Sequence, residues 1–177
     1  IKFSIQTHHG CWGECNFCAI GVHQGRTIRT RSEDNILQEA KEFTKYKDFK
    51  GIISDVGGPT ANMYGYECGK KLKKGTCDDI RCVDFDRLCK VMKIDHSRHL
   101  KLLRNVRKVP GVKKAFVASG LRYDFITEDK KYGYEYLKEL VNHHISGQMK
   151  VAPEHTSDRV LKLMGKPGKQ TLVDFKK

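Results

Sequence analysis

No stretch of this sequence is apolar for long enough to cross a bilayer, which excludes a membrane-spanning helix. The start, 1-IKFSIQTHHG-10, lacks the charged-then-apolar layout of a secretory leader. It begins as if already inside a strand, so the expectation is a segment of a longer, cytoplasmic protein. Low-complexity tracts are missing, and no internal repeat exists beyond an alternation of strand-like and helix-like segments, which argues against linkers and solenoids. The cysteines do not come as an even set: there are seven, several of them clustered. An odd, clustered set in a chain without a leader fits metal ligation better than a disulfide scaffold.

Acidic residues are also in deficit, 21 against 34 Lys and Arg, for a net charge of +13. Such a balance suits nucleic acid, yet the cations are spread along the chain with acids among them. Only 26-RTIRTR-31 and 69-GKKLKKG-75 are locally dense, and aromatic residues around them are few, which disfavours stacking on single strands. A solvated basic surface accounts for most of this excess.

Four short apolar or β-branched runs, 3–7, 51–56, 112–118 and 147–152, alternate with segments of helical period. Ile36, Leu37, Ala40 and Phe43 share one helical face, with Ser32 placed as N-cap and Glu33 and Asp34 in the first turn. Leu100, Leu103 and Val106 mark a second helix, which Pro110-Gly111 would stop. Tyr136, Leu137, Leu140, Val141 and His144 mark a third. Val160, Leu161 and Met164 mark a fourth, with Thr156 or Ser157 as cap and Gly165 at its end. Strand–helix units in series predict an α/β fold with a parallel sheet, and right-handed crossovers gather the strand-end loops at one edge. Those loops are HHGCWGEC, DVGGPTANM, ASGLRYD and APEHT. Residues 63–98 break the alternation and read as a polar insertion carrying Cys68, Cys77, Cys82 and Cys89, with His96 and His99 after them.

Cys11, Cys15 and Cys18 stand on the first strand-end loop with the spacing C-x3-C-x2-C. Structural zinc wants four closed ligands, commonly from two paired knuckles, whereas one loop here supplies three thiols and no second pair close by. A 4Fe–4S cube held by three protein thiolates leaves one iron open for a ligand. Zinc completed by His8, His9 or His23, and unligated core cysteines, are the alternatives. Paired histidines on a strand point to opposite faces, so His8 with His9, and His143 with His144, read as structural.

The loop 10-GCWGECNFCAIGVHQGR-26 resembles the signature of the radical S-adenosylmethionine (radical SAM) superfamily, C-x3-C-x-φ-C, with Phe17 as the aromatic φ. The segments DVGGPTANMYG, IDHS, VPGVKKAFVASGLRYD and KVAPEHT resemble its YgiQ-type subgroup, through nearly all of the chain. In that subgroup the region is the central catalytic segment of a longer protein. The resemblance implies a partial TIM-like barrel of parallel βα units over residues 1–177, with the Cys-rich insertion at 63–98. A family barrel has six strands, and four are counted.

It further implies that Cys11, Cys15 and Cys18 hold a 4Fe–4S cluster. S-adenosylmethionine on the fourth iron would then be cleaved reductively to a 5′-deoxyadenosyl radical that takes a hydrogen from an unknown substrate. Phe17 would pack near the adenine. Gly57, Gly58 and Thr60 correspond to the family's Gly-Gly-Glu motif, with Pro59 in place of the Glu, so the backbone and Thr60 would meet the methionine amino group. Ser119 would bond the methionine or ribose, Arg122 would pair the carboxylate bidentately, and Glu154 would contact ribose or substrate. His155 is left open between acid–base work and capping.

A one-electron donor such as flavodoxin or ferredoxin is the implied partner, and RNA remains open as a substrate. Four thiolates of the insertion, Cys68, Cys77, Cys82 and Cys89, would close a second metal site, zinc or iron–sulfur, stapling a segment without its own core. The competing reading is a zinc-stabilised basic module that grips RNA phosphates through Arg26–Arg31 and the insertion lysines.

Overall fold

The structure, a computed structural model, describes residues 2–75, 77 and 81–177; part of the Cys-rich insertion thus lies outside the described residues. The elements in order are β1 (Ser4–Gln6), β2 (His8–His9), α1 (Ile20–His23), β3 (Arg29–Thr30), α2 (Glu33–Phe43), β4 (Ile52–Ile53), β5 (Asp55–Gly57), α3 (Gly69–Lys74), α4 (Ser97–Arg107), β6 (Lys114–Ala115), α5 (Tyr123–Glu128), α6 (Gly133–Glu139), α7 (Asp158–Met164) and α8 (Lys169–Phe175). A 3-10 turn covers Ala61–Met63, and a π turn, Leu140–His144, continues α6.

The strand pieces assemble in chain order. β1 pairs parallel with β5, Ser4 opposite Asp55 and Gln6 opposite Gly57. β4 pairs parallel with β6, Ile52 opposite Lys114. Ser54 parts β4 from β5, its N–H donating to the Phe3 carbonyl (2.8 Å), and the Val56 N–H reaches Phe116 O (2.7 Å). A parallel bridge joins Leu121 to Val151. The first three expected runs are therefore neighbours in order, as short parallel pairs, whereas the fourth, 147–152, forms no strand and contributes only that isolated bridge; closure into a barrel is not seen among the described residues.

One face of this sheet is apolar and is covered by the helices, because a period of two puts alternate residues on one side. Ile5, Ile53, Val56, Ala115 and Val117 pack with Ile36 and Ala40 of α2, Leu102, Leu103 and Val106 of α4, and Tyr136. Ser32 caps α2 as expected, accepting from the Asn35 N–H (3.3 Å). α7 ends at Gly165 (φ +66°), and the Lys166 N–H returns to Leu161 O (3.0 Å), a Schellman closure in which glycine tolerates the left-handed backbone. Helices α3, α5 and α8 went unread because each is only six or seven residues long and lacks a repeated apolar stripe.

The insertion corrects its sequence reading. It does have a core: Met63, Tyr66, Cys68, Cys82 and Val83 are buried with Trp12, Ile28 and Phe125. An antiparallel turn carries Cys82 and Cys89, with Cys89 N–H on Cys82 O (2.8 Å) and a bridge from Val83 to Leu88. Trp12, on the cysteine loop itself, supplies the large apolar surface that the insertion lacks.

Candidate metal and cofactor site

A two-residue antiparallel ladder clasps the cysteine loop at its base, His8 opposite Thr30 and His9 opposite Arg29. His8 is buried and His9 exposed, the two faces that a strand dictates. Gly10 follows at φ +82°, where an added Cβ would lie 2.2 Å from the Thr27 carbonyl oxygen. The Cys11 N–H then donates to Gly25 O (3.2 Å). Farther along, Asn16 is strapped to the end of α7: its N–H meets Met164 O (3.0 Å) and its side chain donates to Leu163 O (2.6 Å). Arg81 of the insertion donates to the Asn16 side-chain oxygen.

These constraints bring Cys11, Cys15 and Cys18 to one cavity of about 160 Å³. Phe17, Thr60, Arg122, Glu154 and Lys166 are among the residues that share its wall. Thr60 Oγ1 is 3.5 Å from Cys11 Sγ, and the Gly13 N–H donates to the same sulfur (3.3 Å). Among the described residues no three His, Cys, Asp or Glu are close enough to hold a single metal ion. A cube has a wider demand, since each thiolate takes a separate iron at a separate corner. The donor set therefore suits a cluster: three soft thiols on a clasped loop, with two buried cations beside them to offset thiolate charge.

Burial pushes the Cys15 thiol up, as do Cys11 and Cys18, while Lys166 and Arg122 pull it down. Burial lowers the Lys166 ammonium, and the neighbouring Arg122 adds to that. Lys166 lies 3.7 Å from Glu154. Glu154 and Glu14 are the two non-glycine residues with positive φ, +68° and +46°, among the described residues. One lines the cavity and the other sits in the cysteine loop, so backbone strain gathers where a ligand would be held. Replacing Lys166 by methionine is expected to lower a bound cluster's reduction potential, because a buried positive charge that favours the reduced state is lost. Tens of millivolts are expected, 59 mV being tenfold for one electron; an unchanged potential in redox titration would remove Lys166 from the site.

Arg122 is buried and held from two sides. Its Nε (2.8 Å) and Nη2 (2.5 Å) donate to Asp124, which occupies the two-pronged face that a ligand carboxylate would need. Nη1 is left toward Gly13 and the cysteines. Burial depresses the guanidinium, but Asp124 outweighs it and the net shift is upward. Asn62 fixes the Arg122 backbone in both directions, accepting its N–H (2.8 Å) and donating to its carbonyl (2.9 Å). His96 Nε2 contacts Asn62 Nδ2 (3.1 Å) and Tyr66 OH (3.0 Å), and His96 Nδ1 contacts Asp129 Oδ2 (2.8 Å). Burial pushes Asp129 up, but bonds from His96 and Tyr132 hold it well below the usual carboxylate range. The sequence reading missed Asn62, Asp129 and Lys166. Buried polar residues inside GGPTAN, TEDK and MGKPG carry no periodic signal, and only their convergence gives them meaning.

The two glycines face protein. A Cβ on Gly58 would strike the His8 ring at 2.5 Å, and one on Gly57 would strike Ser119 Oγ at 2.4 Å. Ser119 lies outside the cysteine cavity, and its hydroxyl donates to Asp55. His155 accepts the Ser157 N–H at the start of α7 (2.9 Å), the capping alternative. His143 is exposed, and His144 is buried on Ala115 O (2.6 Å).

Burial lowers His8 to about 4 and also lowers His99 and His144. The unfolded chain then binds more protons than the fold between pH 4 and 6.5, so stability rises with pH through that window and is lost as pH falls below 6.5. His8 alone contributes up to about 3 kcal/mol. Urea midpoints measured from pH 7 to 4 should fall; a flat profile would contradict the burial of these rings as neutral groups.

The profile of the Radical SAM superfamily matches residues 5–175. This chain belongs to the radical SAM superfamily. Radical SAM proteins of the YgiQ type were expected, and the relatives agree: a UPF0313 protein of Fusobacterium nucleatum is 56% identical over 99% of this chain and 31% of its own length. UPF0313 proteins of Clostridium perfringens (strain ATCC 13124) and Clostridium botulinum (strain Okra) are 55% and 54% identical over all of it, which is 26% and 27% of their lengths. The radical SAM chain thus spans between about a quarter and a third of the curated relatives it matches. Among the described residues no helix is long and apolar enough to cross a membrane.

The second metal site gains no support. Cys68 and Cys82 are buried among apolar side chains, and Cys82, pushed up by burial, lies against the Lys71 ammonium. The RNA-gripping reading loses ground too. Arg26 pairs with Glu14 and Arg31 with Glu39 (2.7 Å), while Lys71 is buried with its ammonium on Arg26 O (2.6 Å).

Proposed function

We propose that this chain is the catalytic segment of a radical SAM enzyme that cleaves S-adenosylmethionine reductively at a 4Fe–4S cluster held by Cys11, Cys15 and Cys18. When bound, the cluster and S-adenosylmethionine supply the electron and the radical. Every other task falls to the chain. The clasped loop fixes three thiols at one cavity, and that convergence is the observation that carries the reading.

Lys166 and Arg122 Nη1 offset thiolate charge and present donors to an anionic ligand group. Thr60 hydrogen-bonds Cys11, which damps the electron density on that sulfur. Phe17, half exposed at the cavity wall, offers an aromatic face for adenine. Thr60, on the cavity wall, is the acceptor for an ammonium in place of the two glycines, which line the neighbouring cavity; the Gly57 carbonyl is taken by the Thr7 N–H (2.7 Å) and hydroxyl (3.0 Å). Ser119 and Glu154 serve ribose or substrate. The electron donor, flavodoxin- or ferredoxin-like, and the hydrogen-donating substrate act from outside the described residues.

Anaerobic reconstitution with iron and sulfide, followed by reduction with dithionite, should give a brown protein that forms 5′-deoxyadenosine from S-adenosylmethionine. A colourless protein that retains zinc and forms none would overturn the proposal.

A further inference from the structure

The sheet face turned away from the helices is polar. Ser4 and Gln6 of β1 lie beside Asp55 and Gly57 of β5 on that side, since Ile5 and Val56 take the apolar one. A second cavity of about 320 Å³ opens there and meets the cysteine cavity at Pro59. Gln6, Gln24, Asp55, Pro59 and Ser119 are on its wall.

Its wall is rich in hydrogen-bond acceptors. Asp55 Oδ1 accepts the Ala118 N–H (2.9 Å) and the Ser119 N–H (3.1 Å), and its Oδ2 accepts the Ser119 hydroxyl. Ser119 has thereby used its donor. The Gln6 amide nitrogen is directed to His8 O (3.2 Å) and His9 Nδ1 (3.1 Å), which leaves its oxygen. Gln24 Oε1 is buried with no partner. Pro59 has no N–H to give. The side-chain donors of Ser119 and Gln6 are thus engaged within the protein, and acceptors on Asp55, Gln6 and Gln24 remain.

A buried acceptor without a partner costs about 1–3 kcal/mol, which a ligand donor recovers. Asp55 adds a charge with no cationic partner among the described residues, although the chain carries an excess of cations. A neutral polyol would satisfy the amide oxygens and leave that charge without its opposite; a cation satisfies both.

We infer that this cavity receives an ammonium or guanidinium group of the substrate, with Asp55 as its counter-charge and Gln24 Oε1 as a further acceptor. The word substrate rests on the proposed function; the cation preference does not. The neighbouring thiol cavity places such a group beside the seat of the radical chemistry, so the substrate is a small amine or guanidine, or a larger molecule that bears one.

Three isosteric probes test it on the intact protein at pH 7.5: butylammonium, butanol and butyrate, followed by saturation-transfer NMR. Butylammonium is expected to bind at least tenfold better than the other two. Asp55→Asn keeps an oxygen for the two backbone N–H groups and is expected to lower its affinity about tenfold. Gln24→Leu, which breaks no internal side-chain oxygen bond, is expected to lower it several-fold, whereas Glu42→Gln on exposed α2 leaves it unchanged. Equal binding of the three probes, or full affinity in both Asp55→Asn and Gln24→Leu, overturns the inference. Displacement of butylammonium by S-adenosylhomocysteine also overturns it, because the cavity would then belong to the cofactor. Probe selectivity is measured again in Cys15→Ala: selectivity retained there, with no 5′-deoxyadenosine from the parent protein, would sink the proposed function alone.

Discussion

Cys15→Ala should yield a colourless protein after anaerobic reconstitution, with 5′-deoxyadenosine formation reduced to background. Cys15 is the middle thiol of the loop and the one that both buried cations address. A cube left with two thiolates has two corners without protein, and neither Cys11 nor Cys18 can serve a second iron from a loop this tightly held. Alanine removes the sulfur and keeps the backbone, so circular dichroism and thermal unfolding should remain near the parent's values. Retained cleavage in a folded variant would defeat the assignment of all three cysteines, since the proposal allows no partial activity.

Gly10→Ala should reach a similar endpoint without touching a sulfur. The left-handed backbone costs a non-glycine residue roughly 1–2 kcal/mol. Here the added carbon also meets the Thr27 carbonyl at 2.2 Å, a backbone atom with no rotamer to change. Relief requires the β2–β3 clasp to part, and that releases the loop end bearing Cys11. Iron content after reconstitution is expected to fall several-fold, and limited proteolysis should find new cuts between residues 10 and 28. The helix-covered core, held by its own apolar packing, should keep its hydrogen-exchange protection. Full iron loading in this variant would mean that the clasp does not shape the loop.

The sequence revealed what depends on local pattern. The Ser32 cap, the apolar face of α2 and the first three strand runs are all short-range signals, and each was found where expected, as was the gathering of the three spaced cysteines; the fourth run, with a single bridge, was not a strand. It concealed whatever depends on convergence. Lys166 looks like one lysine among many until the Schellman closure of α7 carries it beneath Cys15. The insertion looked coreless because its apolar partner, Trp12, lies some fifty residues earlier in the chain. Gly57 and Gly58 suggested close approach by a ligand, and the close approach is real, but the neighbours are Ser119 and His8. Arg122 was read as a free fork, yet the residue that occupies it is only two positions away, and nothing in RYD says which way Asp124 turns.

The bonds from Asn16 to the carbonyls of Leu163 and Met164 join positions 147 and 148 residues apart. During synthesis, at about 5–20 residues per second, the thiols therefore leave the ribosome roughly 7–30 s before the segment that secures them. Until then they are reactive groups on an unfinished chain, within reach of oxidants and stray metal. Assembly of the proposed iron centre would accordingly wait for translation to pass this point, and a nascent chain stalled before Met164 should accept no cube.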